Sequence, residues 1–592
     1  MPPKRQLPLT RASRSTSTQK APLMPGAMLF YVAVLVVGAA MIARLFYLQV
    51  VRYDHFRAEA KAEQLKKFEL PPTRGVISAH DGDNTLPMVL NERLYTVIAD
   101  PVEVKNDHKT AVELSAILKT DSRDLEKRFA KTESRYEVVG TKVNEDLKNQ
   151  IEKQKLLGIY VREKSYRTYP QGQLGAQTLG FVNDDNQGQY GLEGFMNDEL
   201  SGKPGLLKAI TDRDGVPLAA SQGNVMTAPQ NGKPVTLTID LTMQRIAEEK
   251  LKAGLDRVSS KAGSVMIMDP NTGAIKAMAS YPSYNPAEYS KVTDARLFNN
   301  PIVSDQLEPG SIMKPLLVGA ALTSHSIDRN YSFIDQGSIN VDGITIKNAE
   351  YWGIPNENLE GILQRSLNTG AVSILKQMGG GEINQTARDK WYDYLTNHYQ
   401  LGKVTGVEQS AESAGSVTAP DKGNGLNVQY ANMSFGQGIG VTLMQMAAAE
   451  SSLINGGTYW QPHVVDAIDN KPVAPKMVKS DVVAPDVSQE IQSLMIQVAN
   501  NNYRSALRKG YNVGGKTGTA EITGPDGKYY TDRFNGTFVG FVGGNKPQYL
   551  IIVEVKEPKI ASSATAGLQA AAPVFGDVTQ ALMDSGAVLP SN

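Results

Sequence analysis

Between Ala21 and Ala43 the chain carries no charge for 23 residues, and Leu29–Val37 is almost continuously apolar. A stretch of that length reads as one membrane-spanning helix. Pro22, Pro25 and Gly26 weaken helix at its start, so the expected helix runs from Ala27 through Leu48, with Arg44 snorkelling toward the interface. Those residues reach about 33 Å, enough for a hydrocarbon core of about 30 Å. Lys4, Arg5, Arg11, Arg14 and Lys20 precede it with no acid among residues 1–20. The positive-inside rule then gives a cytoplasmic tail at 1–20, an anchor at 21–48, and everything after about residue 50 outside. Gly38-Ala39-Ala40 would pass as a cleavage site, but the basic region is long and the apolar run exceeds a usual signal core. An uncleaved anchor is the expectation. No other segment approaches 18 apolar residues, so the chain is expected to cross once.

The 592 residues suit two to four domains. At 41% apolar and 21% charged, the chain can bury cores. Lys+Arg and Asp+Glu are equal at 61 each, which excludes a generally basic nucleic-acid binder. With no cysteine there is no disulfide, thiolate metal site or cysteine nucleophile. The six histidines never approach an H-x-x-x-H spacing, so no local zinc motif and no metal site is expected.

Residues 50–228 form one polar, mixed region, with a charge-dense stretch at Lys119–Lys155 that reads as solvated helix faces. Strand-like pieces at Tyr95–Ala99 and Tyr160–Arg162 flank it. Ala219–Lys233 reads as a linker. From 235 to 590 the pattern is different. Val235–Ile239 alternates like a strand, and Leu241–Leu255 has helical apolar spacing. Gly263–Asp269 and Ala274–Ser280 read as strands around the turn Pro270–Gly273. Helical segments dominate from about 311 to 455, strands return at Thr537–Val542 and Tyr549–Val555, and Thr565–Met583 reads as a last helix restarted at Pro573. Strands at both ends with helices between indicate an α+β domain whose sheet the C-terminal strands complete.

Ser311-Ile312-Met313-Lys314 is an S-x-x-K. Ser17/Lys20 and Ser373/Lys376 share the spacing, but the first lies in the tail and the second inside a helix. Ser311 instead follows Glu308-Pro309-Gly310, a helix-start signal, and Pro315 is tolerated only near a first turn. A serine there sits beside unpaired backbone N–H groups able to stabilise an oxyanion. Lys314 shares its face one turn on. As a base for Ser311 it must first lose its proton, which needs burial or a second cation. Lys516-Thr517-Gly518-Thr519 supplies that cation, and Ser366-Leu367-Asn368 offers a hydroxyl and an amide. The three motifs stand in the order S-x-x-K, S-x-N, K-T-G, 55 and then 150 residues apart. Gly510–Thr517 also fits the phosphate-loop pattern G-x-x-x-x-G-K-[ST] letter for letter. The charged stretch Arg504–Lys509 before it and Gly518, Gly524 and Pro525 after it deny it the strand–loop–helix setting that pattern requires.

The ordered triplet resembles that of penicillin-recognising serine enzymes. From about Thr73 to Phe575 the chain resembles the class B penicillin-binding proteins, most of all their cell-division (FtsI-type) members. Thr73-Arg74-Gly75-Val76-Ile77, Arg167-Thr168-Tyr169-Pro170, Gly180-Phe181-Val182 and Gly191-Leu192-Glu193-Gly194 match pedestal blocks. Ala279–Pro286 and Glu308–Pro315 match catalytic ones. The chain departs at His80-Asp81-Gly82-Asp83, where the pedestal usually reads like Asp-Arg-Asn-Gly.

The resemblance implies a serine β-lactamase-like transpeptidase domain at 235–590, an antiparallel sheet flanked by helices, on an N-terminal pedestal of the penicillin-binding-protein dimerisation type at 50–228. It implies that Ser311 attacks the carbonyl between the terminal D-Ala pair of a peptidoglycan stem peptide, with Lys314 as its base. Ser366 would relay a proton, and Asn368 would hold the peptide amide. Lys516, Thr517 and Thr519, around Gly518, would bind the terminal carboxylate, and the N–H groups of Ser311 and Thr519 would form the oxyanion hole. No cofactor is implied. The implied partners are stem peptides, β-lactams, a polytopic glycosyltransferase of the FtsW/RodA type and other division proteins, at the septal plasma membrane. An elongation-type enzyme, a D,D-carboxypeptidase and a penicillin sensor are the alternatives.

Overall fold

The computed structural model describes residues 25–210, 225–351, 353–524, 529–560, 562 and 565–591. The basic tail, residues 21–24 of the apolar stretch, residues 219–224 of the linker and Pro525 lie outside the described residues. The chain divides into two compact units, Met1–Pro71 with Pro204–Pro229, and Pro72–Lys203 with Gln230–Asn592.

In the first unit the apolar helix runs from Pro25 to Phe46, 22 residues, with Arg44 in its last turn. It starts two residues earlier than the spacing predicts, because a proline costs little where the first N–H groups have no helical partner anyway. Nor does the chain leave helix at Leu48. A π turn, Tyr47–Val51, leads into a polar helix, Tyr53–Gln64. Among the described residues Gly26–Val51 is the one helix long and apolar enough to cross a membrane, and its apolar window is not buried against protein. Leu65–Leu70, Gly205–Ile210 and Val225–Thr227 pair antiparallel into a three-stranded sheet.

The second unit holds two larger sheets. One has five antiparallel strands in the order Ile275–Tyr281, Ala262–Met268, Pro547–Lys556, Tyr529–Gly543 and Asn512–Thr523. The C-terminal strands thus complete a sheet begun near residue 262. Val265, Ile267, Val539, Ile552 and Val553 are all fully buried, as continuous apolar runs require when both faces are covered. Leu241–Arg257 packs with Ala572–Asp584 in one helical layer. Lys314–Thr323, Leu443–Ile454 and Pro485–Asn502 pack together in another. The last helix restarts at Ala572 after a π turn, which puts Pro573 in its first turn.

The other sheet has seven strands. Val235–Asp240 lies in it, parallel to Ile77–Asp81 and antiparallel to Val465–Ile468. Asn84–Ala99 pairs with both Glu137–Val143 and Ile159–Thr168. The charge-dense 119–155 stretch carries the helices Ser122–Phe129 and Glu145–Gln154 on either side of that Glu137–Val143 strand. Three sequence blocks converge beside this sheet. Arg74 and Arg167 grip opposite oxygens of Glu193, at 2.6 and 2.8 Å, in a buried triad. Two short pairings between residues 332 and 358, Ser332–Ile334 with Asn356–Asn358 and Ser338–Val341 with Ile344–Lys347, interrupt the region read as helical.

Candidate active site

A turn, a strand and several helix ends meet around Ser311. The serine lies in a 3-10 turn, Gly310–Met313, that runs directly into the helix Lys314–Thr323. Gly310 adopts φ +64°, and a side chain there would collide with the backbone of Thr519. The turn is pinned to the sheet a second time, since Thr537 Oγ1 donates to the carbonyl of Pro309 at 3.0 Å. Asn512–Thr523 is an edge strand, and Gly510–Thr517 runs straight into it, leaving no loop to cradle a phosphate. Lys516, Thr517, Gly518 and Thr519 therefore sit in extended backbone alongside the serine's turn.

Ser366 and Asn368 arrive from a tight corner. The helix Leu359–Gln364 ends, Ser366 takes φ +57°, and a new helix begins at Asn368. A left-handed serine is a strained residue, held by its surroundings. The corner turns both the carbonyl and the hydroxyl of Ser366 toward the lysines. Lys314 Nζ is 2.9 Å from Ser311 Oγ, 2.6 Å from Ser366 O, 2.9 Å from Asn368 Oδ1 and 3.3 Å from Ser366 Oγ. Lys516 Nζ donates to Ser366 Oγ at 2.9 Å and to the carbonyl of Thr517 at 2.9 Å. The structure thus brings Ser311, Lys314, Ser366, Asn368 and Lys516 into one hydrogen-bonded cluster, with Thr517, Gly518 and Thr519 along its edge. Ser373 stays out of it and bonds Tyr331 at 2.7 Å, the structural role expected of a mid-helix serine.

Both lysines are 1% exposed. Burial pushes the Lys314 amine well below its ordinary value, and the charge of Lys516 pushes it the same way. Burial lowers Lys516 to about 7. An uncharged Lys314 amine 2.9 Å from a serine hydroxyl can take its proton as the oxygen attacks a carbonyl. The arrangement is built for serine acylation.

Comparison with known families agrees. The penicillin-binding protein transpeptidase domain matches residues 263–580, more than half of the chain, and the penicillin-binding protein dimerisation domain matches 69–237. This chain is a class B penicillin-binding protein. It is a serine acyltransferase of the transpeptidase family, α+β in fold, with one N-terminal apolar helix consistent with a single membrane anchor. Stage V sporulation protein D of Bacillus subtilis is 30% identical to it over 90% of this chain and 82% of the relative. Peptidoglycan D,D-transpeptidase FtsI of Escherichia coli is 28% identical over 92% and 89%. The crystal structure of penicillin-binding protein 2X from Streptococcus thermophilus superposes with a TM-score of 0.68 at 21% identity, covering 88% of this chain and 80% of that one. That likeness speaks to fold alone.

One residue of this penicillin-binding protein's site carries no motif. Tyr503, buried just after the helix Pro485–Asn502, donates its hydroxyl to Thr517 Oγ1 at 3.2 Å and accepts from Thr517 N at 3.3 Å. Phe538 meets its ring edge-on, 4.9 Å between centroids. Tyr503→Phe removes the hydroxyl and keeps the packing. It is expected to weaken acylation by a carboxylate-bearing penicillin roughly five- to tenfold, the worth of one hydrogen bond, with thermal stability little changed. A rate within twofold of the parent would show that Thr517 needs no such support.

Proposed function

We propose that this protein is a peptidoglycan D,D-transpeptidase that cross-links stem peptides in the septal wall during division. The observation that carries the reading is the 2.9 Å contact between a fully buried Lys314 amine and the Ser311 hydroxyl.

On this reading residues 50–228 are the pedestal, 235–590 the transpeptidase domain and 21–48 the single anchor, with residues 1–20 cytoplasmic. The stem's terminal carboxylate binds the Lys516 ammonium with the hydroxyls of Thr517 and Thr519. Ser311 Oγ attacks the penultimate D-Ala carbonyl carbon while its proton passes to Lys314 Nζ. The oxyanion is met by the N–H groups of Ser311 and Thr519. As the C–N bond breaks, the proton travels through Ser366 Oγ, 3.3 Å from Lys314 and 2.9 Å from Lys516, to the departing D-Ala nitrogen. One N–H of the Asn368 amide donates to the carbonyl of Lys347, and the second is the one offered to the substrate peptide. An amine of a second stem then attacks the ester carbonyl, gives a proton to Lys314 and releases Ser311. Penicillins, presenting a carboxylate and a strained amide in the same places, acylate Ser311 and stay. The partner proposed at the membrane is a glycosyltransferase of the FtsW/RodA type.

A fluorescent penicillin should label the parent and not Ser311→Ala. Incubation with donor and acceptor stems should yield cross-linked dimer; free D-Ala without dimer would mean a carboxypeptidase. The septal role rests on the resemblance to division enzymes. The 30% identity to a sporulation protein favours a second reading, a role in sporulation. A fluorescent fusion separates the two by collecting at the division septum or around the forespore, while side-wall signal would support an elongation role.

The two lysines also set a pH dependence. Acylation needs Lys314 uncharged, so the rate rises with pH through that amine's lowered value. It also needs Lys516 charged, so the rate falls as Lys516 loses its proton near about 7. The second-order acylation constant, which reports the free enzyme, is therefore expected to be bell-shaped with its falling limb near neutrality. Bound carboxylate holds the Lys516 proton on, so under saturating penicillin that limb should move to higher pH. A falling limb that does not move on saturation would remove Lys516 from carboxylate binding.

A further inference from the structure

The partners of the Lys314 amine differ in what they can do. Ser366 O and Asn368 Oδ1 only accept hydrogen bonds, whereas the Ser311 hydroxyl can donate one. An uncharged amine has two N–H donors and one lone pair. With its donors directed at Ser366 O and Asn368 Oδ1, the lone pair is left for the two hydroxyls, Ser311 Oγ at 2.9 Å and the more distant Ser366 Oγ at 3.3 Å, and the nearer is Ser311. This holds only while Asn368 presents its oxygen. The opposite amide orientation would set N–H against N–H and turn the lone pair away from the serine.

What fixes that amide lies outside all three motifs. Asn368 Nδ2 donates to the carbonyl of Lys347 at 3.0 Å, so its nitrogen must face the short strand Ile344–Lys347. The next residue, Asn348, accepts from Thr369 N at 3.1 Å and donates through Nδ2 to Asp335 Oδ2 at 2.8 Å. The other oxygen of Asp335 accepts from Thr369 Oγ1 at 2.8 Å and from Gly337 N at 2.9 Å. Asp335 is 1% exposed and stands 31 residues before Ser366. Its carboxylate ties together the two residues, Asn348 and Thr369, that immediately follow the acceptor and the donor of the Asn368 amide bond.

We propose that Asp335 is a positioning residue for acylation: through Asn348 and Thr369 it fixes the Asn368 amide with its oxygen toward Lys314, and so aims the Lys314 lone pair at Ser311. Asp335 touches neither substrate nor reacting atoms. The inference rests on the serine-acylation reading above and adds to it the device that orients the base.

The test is the second-order rate constant for fluorescent-penicillin labelling of the full-length chain in detergent, measured across pH. Asp335→Ala is expected to lower it about ten- to a hundredfold, the worth of one or two buried charge-assisted hydrogen bonds. The rising limb should also move to lower pH, because Lys314 loses an acceptor that favours its ammonium form. Lys516, the charged group whose influence on that amine is described above, is present in every variant. Asp335→Asn sets Nδ2 against the Asn348 amide and should be slow as well. Combining it with Asn348→Asp restores a donor–acceptor match at each contact, and that pair is expected to recover to within about threefold of the parent. Should Asp335→Ala fail to fold, Asn348→Ala cuts the same link from its other side and carries the same expectation.

A parent-like rate constant and limb in these variants would overturn the proposal. So would a smaller labelled fraction at an unchanged rate constant, which is what a merely structural role gives. Failure of the parent to label, or labelling that survives Ser311→Ala, would instead refute the serine reading itself.

Discussion

Lys314→Met is expected to slow acylation of Ser311 by penicillin about a thousandfold, in the middle of the range for loss of a positioned general base. Methionine fills nearly the same length, while the amine hydrogen-bonded to the Ser311 hydroxyl is gone. Stability should change far less than activity. A lysine whose folded value is pressed below 10.5 binds fewer protons than the unfolded chain does at neutral pH. Folding is therefore penalised below the ordinary lysine range, and the penalty fades as pH rises toward it. Removing the amine lifts that penalty but leaves Ser366 O and Asn368 Oδ1 without their donor, so the two effects offset and thermal unfolding at pH 7 is expected close to the parent temperature. Activity lost at parent-like stability is the point of the test, since a misfolded variant would lose both. Lys516→Met makes the necessary comparison. Its amine is 2.9 Å from Ser366 Oγ and makes no hydrogen bond to Ser311 among the described residues, so its loss should impair carboxylate binding more than proton removal. Acylation of Lys314→Met within tenfold of the parent would mean that another group deprotonates the serine.

The parts of this site that could be read from sequence are those whose chemistry is local. Ser311 and Lys314 are one helical turn apart, and the Glu308-Pro309-Gly310 start places them at a helix beginning without any knowledge of the fold. Lys516 and Ser366 were findable because their motifs are short and come in order. Asp335, Asn348 and Tyr503 were not, because each acts through a contact made only when distant elements pack. Asp335 belongs to no motif, and Tyr503 is the residue that follows an 18-residue helix. Ser366 gave no hint of its left-handed backbone either, since a glycine would have signalled it and serine does not. The same limit applies to the fold. Val235–Asp240 is a strand by its alternation, yet nothing in those six residues says that its parallel neighbour lies at Ile77. The short pairings at 332–358 are too brief for a period to emerge, and they are the elements that carry Lys347 and Asn348 to the site.

The largest expected effect on stability lies at Glu193, within the stretch that matches the penicillin-binding protein dimerisation domain. Its carboxylate is fully buried, and it receives Arg74 on one oxygen and Arg167 on the other. Burial already presses the Arg167 guanidinium below its ordinary value, and the nearby Arg74 charge adds to that pressure. Glu193→Ala leaves two guanidiniums in a dry site with nothing between them, a change that costs about 3–5 kcal/mol when one partner of a buried pair is removed. Glu193→Gln keeps an acceptor for one arginine and should cost less, still above about 2 kcal/mol because the charge is gone. In many buried ion pairs an all-apolar replacement is neutral, but here it is not expected to be. Arg167 also donates to Asn91 Oδ1 at 3.0 Å and to Gly75 O at 2.7 Å, and Arg74 donates to Asn197 Oδ1 at 3.0 Å. Replacing Arg74, Glu193 and Arg167 together by Met, Leu and Met would strand those acceptors, at about 1–3 kcal/mol each. The triad is thus a cross-link between three separated stretches of chain as well as a charge balance. Chemical denaturation read at its first transition should rank the variants parent, Gln, Ala in falling stability, with the apolar triple below the parent. Penicillin acylation of the molecules still folded should be unchanged. An apolar triple as stable as the parent would show that the guanidinium contacts to Asn91, Gly75 and Asn197 contribute nothing, and that charge balance alone accounts for the site.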